Sequence, residues 1–510
     1  MRVIVIGGGI AGLASAALLA ADGHDVTVLE RRAAVGGRAG FARAAGFGFD
    51  TGPSWYLMPE VFDRFFARFG TSAAAEYGLE DIEPGYRVFG AAGTGSSGPL
   101  DISPATVREV FEGLEAGAGQ RLDAYLREAD GIYDLALDHF LYTNFARPGA
   151  FARRSVLARL PQLPGLFGKS LQHRVDARFS HPLLRQILGF PAVFLGTSPQ
   201  RAPALFALMS RLDLIDGPAY PRGGMRAVIA AVERVARAAG ARIVTGAEAV
   251  ALPAGRGTGA RRIERVVARV SDGAGGRERL AEFPADLVVG ACDLHHLETQ
   301  VIDPRLRAVP QRTWERRDPG IGALVIMLGV RGRVPQLAHH TMVFSADWED
   351  NFDQIFGPRA RLPWPASAYV CAPSRTDPEV APAGCENLFV LVPAPANPSL
   401  RAGQSGVEAY ADRIVDALGQ RIGAADLRER TLTRTVMAPG DFEGAYHAWS
   451  GSALGPANTL FQSAFFRGGV QHPKAANLLR AGAFAAPGVG LPMCLISADN
   501  LAAHVRGDRR

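Results

Sequence analysis

The stretch from Val3 to Glu30, VIVIGGGIAGLASAALLAADGHDVTVLE, constrains the fold more than any other part of the chain. Val3 to Ile6 is a short apolar run of the length a buried strand needs. Gly7-x-Gly9-x-x-Gly12 follows at once. An uncharged small-residue helix comes next and stops at Gly23, and DVTVLE alternates as a second strand. An apolar run of roughly 18 residues is also long enough to cross a bilayer. The crowded glycines, the single preceding Arg2 and the lack of a clear A-x-A site argue against a secretory segment. The second strand settles the reading as a βαβ unit of ~30 residues.

Each residue type in that unit has a physical task. Gly7 makes a turn that other residues resist. Gly9 lets the backbone approach a pyrophosphate, and Gly12 lets the helix lie close to the strand. The helix N-terminus adds free N–H groups and partial positive charge. Glu30 ends the second strand, where its carboxylate can accept both ribose hydroxyls. Gly36-Gly37-Arg38 comes shortly after. A plain NAD site does not need it. Two glycines let a loop fold back over the pyrophosphate, and Arg38 can bond to it with charge assistance.

At this point the sequence resembles the flavoprotein superfamily of amine oxidases, prenyl-chain carriers and carotenoid desaturases. VIVIGGGIAGLASAALLAADGHDVTVLERRAAVGGR fits that FAD fingerprint from end to end. The resemblance implies an α/β fold: a Rossmann-like FAD-binding domain, glutathione-reductase-like and amine-oxidase-like, carrying an α+β substrate domain.

Composition narrows the function classes. At 510 residues, 48% hydrophobic, the chain can hold two domains or one interrupted one. Its net charge of +5 rests on arginine, with lysine only at 169 and 474. No nucleic-acid module is present. Cys292, Cys371, Cys385 and Cys494 are scattered without CxxC spacing, which fits free thiols in a reducing compartment. The His295-His296 and His339-His340 pairs have no ligand partner at helical or loop spacing, so no metal is expected. Neither a signal peptide nor a transmembrane helix is expected.

Further along, MPEVFDRFFARFG reads as an amphipathic helix with Phe62, Phe65 and Phe66 on one face. Residues 101–219 are helical in pattern. Between Asn144 and Leu188, eight basic residues (Arg147, Arg153, Arg154, Arg159, Lys169, Arg174, Arg178 and Arg185) face one acid, Asp176. Leucines interleave with them, a mixture suited to an anionic bilayer surface or to a solvated lid. Tyr220 to Leu252 returns to a Gly-Gly turn, a helix and one strand, RIVTGAEAV. Arg256 to Arg279 reads as a polar hairpin and ADLVVGACD as a buried strand. GALVIMLGV and ENLFVLVP fit an antiparallel sheet. NLLRAGAFAAPGVGLPMCLISADNLAAHV reads as strand, Gly-rich turn and helix.

FDTGPSWYLMPEVFD, YPRGGM, AHHTMVFSADWEDNFDQIFG, PSRTDPEVAPAGCENLFVLVP, SGSALGPANTLFQSAFFR and PGVGLPM together resemble the bacterial-type phytoene desaturase family. With the fingerprint they span nearly the whole chain. One departure is Ala485-Ala486, which stands where the family usually has Thr-His. The resemblance implies desaturation of a linear carotenoid precursor such as phytoene by hydride transfer to the flavin. Related chemistries are a 3,4-desaturase, isomerase, saturase or oxygenase. A non-enzymatic prenyl-lipid carrier is the rival from another class, and an amine oxidase would need an aromatic pair near the C-terminus that is not visible.

The implied layout is an FAD-binding domain in three parts (1–100, 220–300 and 441–510), a substrate sheet at 301–440, and a helical, membrane-facing insert at 101–219. Implied cofactor contacts are Gly7, Gly9, Gly12, Glu30, Arg31, Gly37, Arg38, Ala249, Gly482, Gly490, Leu491, Pro492 and Met493. No catalytic side chain is singled out; Asp293, Arg375 and Asp377 are weighed and read as turn or salt-bridge residues. The expected partners are a linear polyene and the lipid of the membrane's cytoplasmic face, with no nucleic acid. The oligomeric state is not readable.

Overall fold

A computed structural model describes the chain except residues 92, 95–97, 144–162, 256–261, 272–275, 464–466 and 509–510. The opening unit forms as the glycine spacing requires: β1 (Arg2–Ile6), α1 (Ile10–Ala21) and β2 (Asp25–Glu30). β1 is central in a five-stranded sheet whose order is Leu478–Arg480, Leu287–Gly290, β1, β2, Arg242–Thr245. Every pairing in it is parallel. Strands buried on both faces need continuous apolar runs, and Val3, Val5, Val288 and Val289 are fully buried.

α1 carries no charge because it has no free face. Met225–Ala238 and Leu491–Arg506 pack against it, and its buried residues run from Ile10 to Ala20. Pro59–Ala67 forms the amphipathic helix expected there, with Val61, Phe62, Phe65 and Phe66 buried. The single strand expected for RIVTGAEAV is two. Gly246, at φ +66°, breaks it into Arg242–Thr245 in the parallel sheet and Ala247–Ala251 in a separate three-stranded antiparallel sheet. That sheet continues through Arg265–Ser271 and Glu278–Pro284, so the polar hairpin expected at 256–279 runs on to Pro284.

A seven-stranded sheet makes the second half. Its order is Thr431–Met437, Ile321–Arg331, Cys385–Pro395, Ala368–Cys371, His340–Val343, Tyr86–Phe89, Leu100–Ile102. All pairings are antiparallel except that of His340–Val343 with Tyr86–Phe89. Two of its strands therefore come from within the first hundred or so residues, which the sequence reading gives to the nucleotide half. Side-chain alternation sorts this sheet's two faces. Ala323, Val325 and Met327 point to one core, shared with the helices between 107 and 194. Leu324, Ile326 and Leu328 point to the other, covered by Ser405–Ile422.

The helical stretch includes Val107–Leu114, Ala118–Ala136, Leu171–Asp176 and Pro182–Gly189. Arg147, Arg153, Arg154 and Arg159 lie outside the described residues. Three of the four described basic residues of this stretch are paired. Arg174 and Arg178 both bind Glu128, and Arg185 binds Asp176 at 3.1 Å. Among the described residues, no helix is long and apolar enough to cross a membrane.

Candidate cofactor and substrate site

The site starts at the carboxyl ends of β1 and β2. Gly7 sits at φ +103°, where a Cβ would come within 3.0 Å of the Ala291 carbonyl oxygen. At Gly12 a Cβ would be 1.9 Å from the Gly7 oxygen, so only glycine lets α1 start this close to the turn. Gly9 is different: a Cβ there would meet nothing within 4 Å. It would project into open space, the cradle expected for a pyrophosphate.

Glu30 is 7% exposed and accepts two backbone hydrogen bonds, from Gly8 N at 2.7 Å and Arg32 N at 2.8 Å. It thereby ties the glycine turn to the end of β2. Each carboxylate oxygen keeps a further lone pair for a ligand. Gly36-Gly37-Arg38 folds back as its glycines suggest. Gly36 N donates to Gly8 O at 2.9 Å, and a Cβ at Gly37 would lie 3.3 Å from Gly9 Cα.

Arg38 is largely buried. Its Nη2 is 3.8 Å from Asp293 Oδ2, and neither Nε nor Nη2 has a hydrogen-bond partner among the described residues. Unsatisfied guanidinium N–H groups beside an open cradle fit a phosphate-bearing ligand. Asp293 itself is spent structurally. It accepts from His295 N, His296 N and Trp449 N, while burial pushes its carboxyl up and Arg38 opposes the shift. Arg375 pairs with buried Glu386, and Asp377 accepts from Tyr220 OH and Gly223 N. Arg31 bonds through its guanidinium to the carbonyls of Gly444 and Ala445, which fastens the chain's last segment to β2.

Leu491–Arg506 begins after Gly490, at φ +115°, with Pro492 in its first turn. Pro492 has no N–H, so Leu491 and Met493 are the free donors of that turn. Gly482, at φ +97°, lies against α1, where a Cβ would be 3.2 Å from Ala11 Cβ.

All the residues expected to hold a cofactor border one cavity of about 850 Å³, except Gly12, which acts by packing. An apolar part of the same cavity, its arm, is lined by Trp55, Phe190, Phe194, Phe206, Met209 and Leu391. Sequence reading missed this arm because its residues come from a loop, the helical stretch and the large sheet. It also missed the groups beside the histidine pairs. His339, His340 and Cys371 offer ligating atoms within 4.8 Å of one another, as do Glu248, His296 and His447. Strand pairing supplies the first set, since His340 stands in register with Cys371. Spacing along the chain cannot reveal that, so the expectation that the pairs lack partners is corrected.

The fold is that of flavoprotein oxidases. The structure of a putrescine oxidase triple mutant matches with a TM-score of 0.62 at 15% identity, over 99% of this chain and 98% of that one. Cyclohexylamine oxidase from Brevibacterium oxydans matches with a TM-score of 0.58 at 17% identity, over 99% of each chain. The model of the flavin containing amine oxidoreductase family covers residues 10–506. A carotenoid 3,4-desaturase of Haloarcula japonica is 36% identical over 98% of this chain and 97% of its own length. A zeta-carotene-forming phytoene desaturase of Myxococcus xanthus is 32% identical over 98% and 92%. The chain belongs to the flavin-containing amine oxidoreductases and, within them, to the carotenoid desaturase family. It is an FAD-dependent oxidoreductase acting on CH–CH bonds.

Proposed function

We propose that the protein desaturates a linear carotenoid precursor such as phytoene. The observation that carries this reading is the continuity of one cavity, from the glycine cradle to the aromatic-lined arm. In this reading Glu30 holds the ribose, while Gly9, Arg38 and the first turn of Leu491–Arg506 surround the pyrophosphate and flavin. Ala249 borders the adenine, and Arg31 fastens the neighbouring segment. The five-stranded sheet and its helices form the nucleotide half. The seven-stranded sheet and the helical stretch form the substrate half. Bound FAD supplies a hydride acceptor at the junction. The chain's own residues hold an alkyl chain beside it and keep water out.

The substrate sets where the protein works. At ~0.8 kcal/mol per CH₂, exposing a forty-carbon hydrocarbon to water costs roughly 30 kcal/mol. Such a molecule passes between membrane and cavity only where the two touch. We therefore propose peripheral docking on the cytoplasmic face of a membrane, through the helical stretch.

The test is anaerobic. Purified yellow protein is mixed with phytoene-loaded liposomes, or with liposomes holding an acyclic carotenoid that is already partly conjugated. Bleaching of the flavin together with new polyene bands is the expected result, and the substrate that produces it fixes the position of desaturation. A colourless protein that carries the lipid unchanged would replace this reading with a carrier.

A further inference from the structure

Desaturation removes a hydride from one carbon and a proton from its neighbour, and a C=C bond forms between them. The substrate loses two electrons, the flavin gains them with the hydride, and the proton is released. The flavin thereby gains one negative charge, which an apolar cavity holds badly unless a positive group lies near.

Arg467 is 7% exposed. Its Nε donates to Gln462 O at 2.9 Å and its Nη1 to Ala483 O at 2.6 Å. Its Nη2 donates to Pro456 O at 2.8 Å and to Asn458 Oδ1 at 3.0 Å. All four acceptors are neutral, and no carboxylate pairs with Arg467 among the described residues. A second cation, Arg317, acts on it, and burial pushes its guanidinium down to about 10. Neutral amide donors could tie the same carbonyls together without the cost of burying a charge. The tie therefore does not explain the charge.

The partners of Arg467 place it beside the cofactor end of the cavity. Asn458 and Ala483 line the cavity, as do Pro487 and Val489. Between those two, a Cβ at Gly488 would lie 3.2 Å from Arg467 Nη1. The guanidinium thus stands one layer behind the wall that leads through Gly490 into Leu491–Arg506. The free N–H groups of that helix start add partial positive charge at the same place. Arg38 and Arg467 both act on the buried Cys494 thiol. Arg38 has Asp293 Oδ2 at 3.8 Å to oppose it, whereas Arg467 has no such partner among the described residues.

Resting on the placement of FAD proposed above, we infer that Arg467 acts on the flavin through this wall, without touching it. Its uncompensated charge favours the negative charge that arrives with the hydride, and so raises the flavin's reduction potential.

The test is the midpoint potential of the FAD-loaded protein, measured by anaerobic dye-coupled reduction, which needs no polyene. One buried charge at this remove should change the ratio of reduced to oxidised flavin about tenfold, or about 30 mV for a two-electron couple. Arg467→Gln should lower the potential by that amount with FAD content unchanged. Arg467→Lys keeps the charge and loses the fork, and should stay at the wild-type value. If Arg467→Gln fails to fold, Asn458→Asp asks the same question with the arginine kept, because it puts a carboxylate where Oδ1 now accepts from Nη2. Its potential should fall as well. A structural tie alone predicts lower melting temperatures for both Arg467 variants and wild-type potentials in all three, and that result would overturn the inference. Retention of FAD by Gly9→Val would remove the cofactor placement and this role with it. A colourless Gly9→Val beside unchanged potentials removes the role of the charge alone.

Discussion

At the scale of single residues, the cradle makes two different demands on glycine. Gly12 is required by packing and Gly9 by the space a ligand would fill. Gly9→Val should therefore fold and lose FAD, read as a colourless protein with an unchanged far-UV spectrum. Arg38→Ala removes a charge-assisted contact worth about 1.5–3 kcal/mol, so FAD should dissociate on dilution where wild type keeps it. Retention at wild-type occupancy would contradict the assignment. Asp213 makes a third case. It is 7% exposed, it accepts a long hydrogen bond from Tyr86 OH at 3.5 Å, and burial pushes its carboxyl up to about 7. The folded protein thus holds a proton there that the unfolded chain, at a pKa of about 3.9, gives up. Stability falls as pH rises between those values, since the unfolded state binds fewer protons. Asp213→Asn should be more stable than wild type at pH 8 and show a flatter melting-temperature profile from pH 4 to 8. Equal profiles would remove the linkage.

At the scale of elements, sequence periodicity identified what it could. The βαβ unit was legible because each of its features repeats over neighbouring residues. The break at Gly246 was not, since a positive φ leaves no mark beyond the glycine itself. Nor was the hydrogen bond between Tyr369 and His340, which needs strand register to exist. The basic stretch divides in a similar way. Arg174 and Arg178 close on Glu128 and pack near the Tyr125 ring, so both guanidiniums are held within the fold and one of their two charges is offset. Replacing both by Ala should cost about 1 kcal/mol of stability and leave liposome sedimentation unchanged. Replacing Arg153, Arg154 and Arg159 by Glu should do the opposite. Each should lose on the order of 1 kcal/mol of attraction to an anionic surface, and high salt should weaken wild-type binding. Equal sedimentation of wild type and triple variant at low salt would make the stretch a solvated lid.

At the scale of the whole molecule, the two halves share one cavity, so their contributions are separable by substitution. Met209→Trp and Leu391→Trp both thicken the wall of the apolar arm, one from the helical stretch and one from the large sheet. FAD absorbance should be kept in both variants, while bleaching by a carotenoid falls sharply. Loss of flavin instead would mean that the arm belongs to the cofactor. The order of strands in the parallel sheet has a consequence for how the protein is made. β1 is synthesised long before its neighbour on one side, Leu287–Gly290, and α1 long before its cover, Leu491–Arg506. The glycine turn gains β2 beside it early, yet its cradle waits for the segments synthesised much later. Capture of FAD thus waits on Leu491–Arg506, and an early piece of the site becomes useful late.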